Sequence, residues 1–141
     1  MYFDGSRSND GAGAGCVLIG PEREKIIACI LEFECMNKTV EYEALVQGLY
    51  KAIDLNVKYL QVFGDSKINV KSVRNTIHCA STHLKHYQYL VQTLTSHFLA
   101  FNISPISRLQ NVIANLLANV ASRLIPPKDY SPDRFSIELI F

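Results

Sequence analysis

Residues 2–20, YFDGSRSNDGAGAGCVLIG, join a short extended segment to a glycine-rich run and then to an apolar one. Gly11, Gly13 and Gly15 suit a tight reversal and a close approach of backbone, because a residue without Cβ tolerates both. GAGCVLIG, residues 13–20, is apolar throughout, as a strand covered on both faces requires. Pro21 follows Gly20 directly and marks a turn, and KIIACILEFEC, residues 25–35, takes up a strand-like alternation at LEFEC. The chain is therefore expected to open as a three-stranded antiparallel meander.

Beyond the meander the period changes. Tyr42, Leu45, Val46, Leu49 and Ile53 recur at three and four, which predicts a helix from Thr39, as N-cap, to about Asp54. Glu41 falls in its first turn, and Gly48 lets an adjacent stripe approach a sheet closely. YLQVFGDS, residues 59–66, reads as a strand ending at Gly64 and Asp65. A short helix over KINVKSVRN, a longer one over about 84–98, a strand within FNISPIS (101–107) and a last helix over 111–124 complete the order. On that last helix Val112, Ile113, Leu116, Leu117 and Val120 form the expected apolar face, with Asn111, Asn115 and Asn119 as a polar stripe. Three prolines, Pro126, Pro127 and Pro132, argue against helix or central strand in the tail. One domain over residues 1–124, followed by a linker or unpaired tail over 125–141, is the expected organisation.

With 141 residues and 48% hydrophobic content, the chain suits one domain with one core. No long uncharged apolar run and no basic-then-apolar leader is visible, so an intracellular protein, cytoplasmic or nuclear, is expected. Cys16, Cys29, Cys35 and Cys79 lack the close pairing of zinc or redox motifs and read as reduced core residues. The net charge is +1, but its distribution is uneven: residues 66–128 hold seven bases and no acid. Within that stretch Lys67, Lys71 and Arg74 recur at helical spacing, a stripe that would attract an anion or, alternatively, simply face solvent.

Three carboxylates stand at distinctive places: Asp4 on the first strand, Glu41 on the first long helix and Asp65 at the end of the fourth strand. Taken singly, an Asp after a strand is usually a turn or cap residue. Together, strand ends and a helix packed on them could supply the oxygen cage that hard divalent cations need in phosphoryl hydrolysis. His83 and His86 lack nearby acids or cysteines, Ser66 and Ser72 lack a His–Asp partner, and no phosphate-loop pattern follows the glycines.

The motifs FDGS, GAGAG, NKTVEYEAL, VFGDSKINV and ISRLQNVIANLLANVAS, in that order, resemble the type 1 ribonuclease H domain over about residues 2–124. The likeness is greatest to the version carried by plant long-terminal-repeat retrotransposon polyproteins, where it accompanies reverse transcriptase. It implies an α/β, ribonuclease H-like fold: a mixed five-stranded sheet, its first three strands an antiparallel meander, flanked by helices. It also implies hydrolysis of the RNA strand of RNA–DNA hybrids, with two Mg2+ ions, or Mn2+, held by four acids. Asp4, Glu41 and Asp65 match the first three acids. Asn37, before the helix, matches an asparagine that contacts the hybrid backbone in relatives, and Lys38 departs from a common second asparagine. Gly5 and Ser6 beside the first acid, and the basic stripe of Lys67, Lys71 and Arg74 read from charge, are the other expected nucleic-acid contacts.

The likeness fails at the fourth acid, where NVIANLLA places Asn115, and at a histidine before the last helix, where Pro105 stands. Asparagine offers a cation one neutral carbonyl oxygen and no charge. The first strand also starts close to its acid, with only Met1, Tyr2 and Phe3 before Asp4, which shortens its ladder. An active nuclease using Asn115 as a weak fourth ligand is therefore one expectation. A hybrid-binding module with weakened catalysis, or a retroelement remnant cut from a larger polyprotein, is the other.

Overall fold

The computed structural model describes residues 1–8, 11–20, 24–31, 37–65, 82–123 and 134–140. Strands β1 (Tyr2–Ser8), β2 (Gly11–Ile19) and β3 (Glu24–Leu31) form the antiparallel meander, with Asp4 opposite Gly15 and Ser6 opposite Gly13. The glycine-rich run lies within β2 and not in the reversal before it. Helix α1 (Asn37–Asp54) carries the chain to β4 (Tyr59–Gly64), which pairs parallel to β1. Helix α2 (Thr82–Thr95), β5 (Ala100–Pro105), a 3-10 turn (Arg108–Asn111) and helix α3 (Val112–Arg123) follow. The short helix expected over KINVKSVRN lies outside the described residues.

The sheet has six strands in the order β5-β4-β1-β2-β3-β6, one more than expected. The addition is β6 (Arg134–Ile140), antiparallel to β3, so the end of the chain is not an unpaired tail. Its RFSIELI lies beyond the prolines, whose lack of an N–H bars them from a ladder, and is free of them itself. β1, between β2 and β4, is central, and its pairing with β4 is short: two residue pairs, against six between β4 and β5. The Met1 carbonyl accepts from Phe63 N at 2.8 Å and prolongs that contact.

α1 begins at Asn37, two residues before the expected cap, which places Glu41 past the first turn. Its expected face is buried: Tyr42, Leu45, Val46 and Leu49 join Phe3, Ala14, Cys16, Val62, Val91 and Ile103 in the core. Gly48 packs as its spacing suggests, since a Cβ there would meet Met1 Sδ and Cys16 Sγ.

α3 reverses the expectation. Val112, Ile113, Leu116 and Val120 are about half exposed, and Ala114, Ala118, Ala121 and Ser122 are buried. Its partner explains why. A Cβ on Gly13 would lie 2.3 Å from Ser122 N, and one on Gly15 would lie 2.3 Å from Ala114 O. Glycine on the strand and alanine on the helix bring the two backbones together, and the large side chains have room only on the outside.

Candidate active site

Alternation along β1 divides its side chains between two layers. Gly5 meets α1, where a Cβ would clash with the Val40 backbone. Asp4, Ser6 and Ser8 meet α3. Asn115 Nδ2 donates to Asp4 Oδ2 at 2.7 Å, Ser6 Oγ to Asn119 Oδ1 at 2.5 Å, and Ser8 Oγ to the Ser122 carbonyl at 2.7 Å. Two residues of strand advance roughly 6.6 Å and four of helix about 6 Å, so a D-x-S seam on one matches an N-x-x-x-N seam on the other.

At the head of this seam one carboxylate oxygen from each of Asp4, Glu41 and Asp65 lies within 4.8 Å of the others. These residues are 37 and 24 apart in sequence; the central position of β1, the close seating of α1 on Gly5 and the parallel β1–β4 pairing bring them together. Asp4 is only 3% exposed. Burial pushes its carboxyl above the ordinary range against the Asn115 hydrogen bond; nearby Asp65 also raises it, while the Gly5 N–H and Arg108 lower it. Arg108 approaches Asp65 at 4.0 Å, but from a largely exposed position where solvent weakens the attraction. An all-oxygen set of clustered acids, one buried, has the donor chemistry of a hard divalent cation site.

Asn115 comes to the cluster differently from the sequence expectation. It turns its NH2 to Asp4, and its carbonyl oxygen accepts from Asn119 Nδ2 at 3.1 Å. In this arrangement its NH2 is a donor to the first acid, and its oxygen is turned toward Asn119. Asn111, to which the sequence reading assigned no role at the site, is 1% exposed and donates to the Phe3 carbonyl at 2.8 Å and to Asp65 Oδ2 at 3.5 Å. It ties the end of β4 to β1 beside Asp4. The one available signal was the four-residue spacing of Asn111, Asn115 and Asn119.

The implied nucleic-acid contacts divide. Gly5 and Ser6 lie beside Asp4, Gly5 N donating to Asp4 Oδ1 at 2.9 Å and Ser6 bound to Asn119. Asn37 opens α1. Lys67, Lys71 and Arg74 lie outside the described residues. Pro105 closes β5, where an edge strand tolerates a missing N–H.

Comparison with known proteins agrees with this architecture. The bifunctional protein Rv2228c of Mycobacterium tuberculosis is 30% identical over 120 residues, 83% of this chain and 33% of the relative. The chain thus spans about a third of the length of the curated relatives it matches. The N-terminal RNase H domain of Rv2228c, solved as a fusion with maltose binding protein, superposes with a TM-score of 0.75 at 28% identity, covering 85% of this chain and 89% of that one. RNase H1 from the halophilic archaeon Halobacterium salinarum gives 0.76 at 25% identity, covering 85% and 93%. LC11-RNase H1 in complex with an RNA/DNA hybrid gives 0.73 at 21% identity, covering 84% and 92%, a likeness of fold. A family model described as reverse transcriptase-like matches residues 2–121, and with the ribonuclease H-like sheet and acid cluster already in view, the chain belongs to that family.

Proposed function

We propose that this chain is a ribonuclease H-type endonuclease that hydrolyses the RNA strand of RNA–DNA hybrids. The observation that carries the reading is the convergence of Asp4, Glu41 and Asp65 oxygens within 4.8 Å. Support comes from the RNase H domain of Rv2228c and the H. salinarum enzyme at 25% identity or more, and from the hybrid seen in complex with a protein of the same fold. Asp4, Glu41 and Asp65 would hold two Mg2+ ions, or Mn2+ in their place. When bound, such ions supply water activation and charge neutralisation at the leaving oxygen.

The chain's own groups do the rest. Asn111 and Asn115 hold Asp65 and Asp4 in place by donated hydrogen bonds. The seating of α1 on Gly5 brings Glu41 to the same point. Lys67, Lys71 and Arg74 fit contacts to hybrid phosphates, whose strength would fall with salt as counterions are released. The reverse transcriptase-like family and the partial coverage of relatives support a place within a longer polyprotein, of retroelement type.

The test is incubation of the protein with an end-labelled RNA–DNA hybrid and Mg2+. RNA cleavage well above that of Asp4→Asn is expected, and equal, background-level products from both proteins would refute it. A second reading, hybrid binding with weak turnover, is favoured by one observation: Asn115 contributes a donor where a fourth acid would contribute charge. It predicts salt-dependent hybrid binding, with cleavage rising strongly in Asn115→Asp.

A further inference from the structure

Asp4, Asn115, Asn119 and Ser6 form a single run of hydrogen bonds, and every link in it points the same way. Ser6 Oγ donates to Asn119 Oδ1, Asn119 Nδ2 donates to Asn115 Oδ1, and Asn115 Nδ2 donates to Asp4 Oδ2. We propose that Asn119, backed by the Ser6 hydroxyl, is a positioning residue that locks the Asn115 amide with its NH2 toward Asp4, so that Asn115 orients the first acid and is not itself a cation ligand. The inference rests on the cation-site reading of Asp4, Glu41 and Asp65.

The chemistry follows from what each group can offer. An ionised carboxylate only accepts, whereas an amide donates from one end and accepts at the other. Once Asp4 takes the Asn115 NH2, the Asn115 oxygen faces Asn119 and requires a donor there. Asn119 meets that need with its NH2, which leaves its own oxygen to be satisfied by a hydroxyl. Ser6 stands opposite because two residues of strand match four of helix along the β1–α3 seam. Turning the Asn115 oxygen to a cation would break the bond to Asp4 and the bond from Asn119 together. All three residues are half-buried, where an unmade hydrogen bond costs more than in open water.

The test uses the intact chain without nucleic acid, so that it stands apart from nuclease activity. The Asn115 side-chain NH2 resonances are assigned by their loss in Asn115→Asp. They are then followed by proton–nitrogen correlation spectroscopy in the original protein, Asn119→Leu, Ser6→Ala and Ser6→Thr, with and without saturating Mg2+. An amide bonded to a carboxylate resonates downfield of a free one. The proposal expects that downfield shift in the original protein, its persistence with Mg2+, its loss in Asn119→Leu, its weakening in Ser6→Ala and its recovery in Ser6→Thr. Calorimetric titration with Mg2+ should show affinity about tenfold lower in Asn119→Leu, the lower end of losses seen when partners behind metal ligands are removed. Movement of the resonances to free-amide positions on adding Mg2+ would overturn the proposal, as would their indifference to both Asn119→Leu and Ser6→Ala. Should Asn119→Leu fail to fold, the Ser6 pair decides the matter alone. An active nuclease with a free Asn115 amide would refute the inference and leave the nuclease reading standing; a locked amide in an inactive protein would do the reverse.

Discussion

Gly15→Ala tests the contact on which the site depends. The added Cβ would stand 2.3 Å from Ala114 O, 2.8 Å from Ala118 N and 2.8 Å from Leu117 Cβ, where ordinary contact begins at 3.4 Å. Two of these three atoms are helix main chain and cannot swing aside, so α3 must retreat by about 1 Å, the difference between the closest approach and ordinary contact. Overpacking of this kind costs about 1–3 kcal/mol. Reduced entropy of the unfolded chain with alanine in place of glycine offsets about 0.4–1 kcal/mol of that. A net loss of about 2 kcal/mol is expected, because backbone atoms are met. With a urea m-value of about 2 kcal/mol/M, the unfolding midpoint drops by about 1 M. The same retreat stretches the Asn115–Asp4 hydrogen bond of 2.7 Å beyond bonding distance, so the Asn115 amide should lose its carboxylate-bound character in the folded variant. A midpoint within 0.2 M of the original protein would mean that α3 is not seated on this glycine, and the account of its inward face would be wrong.

Other substitutions bear on the same structure. Leu116→Ser, on a side chain 57% exposed, should change stability by less than about 0.5 kcal/mol, whereas Ala118→Leu on the buried face should cost several-fold more, both read from urea midpoints. Asp4→Asn should abolish hybrid cleavage and raise stability in cation-free buffer. The folded Asp4 holds its proton above the unfolded value of about 3.9, so the original protein loses stability as pH rises from there toward the raised folded value, and the variant's pH profile should be flatter over that window. Mg2+ should raise the melting temperature of the original protein by mass action, about 2.7 kcal/mol at a hundredfold excess over Kd, and should do little for Asp4→Asn. Tyr87→Phe removes the 2.6 Å hydrogen bond from Tyr87 to the buried Glu43 that joins α2 to α1, and should cost about 1–3 kcal/mol by thermal or chemical unfolding.

The order of strands and helices was legible along the chain because local chemistry carries it. GAGCVLIG fits a covered strand, Tyr42, Leu45, Val46 and Leu49 mark one face of a helix, and the DGS and GDS motifs place one acid within the first strand and another at the end of the fourth. Those acids converge because β4 runs parallel to β1 and ends opposite Phe3, which sets Asp65 beside Asp4. The strand over residues 134–140 is hidden in the sequence behind three prolines that argue for an unpaired tail; the open edge of β3 that receives it exists only in the assembled sheet.

The orientation of α3 was not legible. Its hydrophobic side chains select one face for burial by the ordinary rule, yet Gly13 and Gly15 offer a surface so close that the small residues Ala114, Ala118, Ala121 and Ser122 lie against it, and shape prevails over hydrophobicity. Asn115 is the same case in polar form. Its place in the motif follows from sequence, but an amide has two chemically opposite ends, and the end that meets Asp4 depends on Asn119 and Ser6 across the helix–strand contact. Sequence determined that Asp4, Glu41, Asp65 and Asn115 meet at the cluster, whereas tertiary packing brought in Asn111 and determined that Asn115 arrives there as a donor.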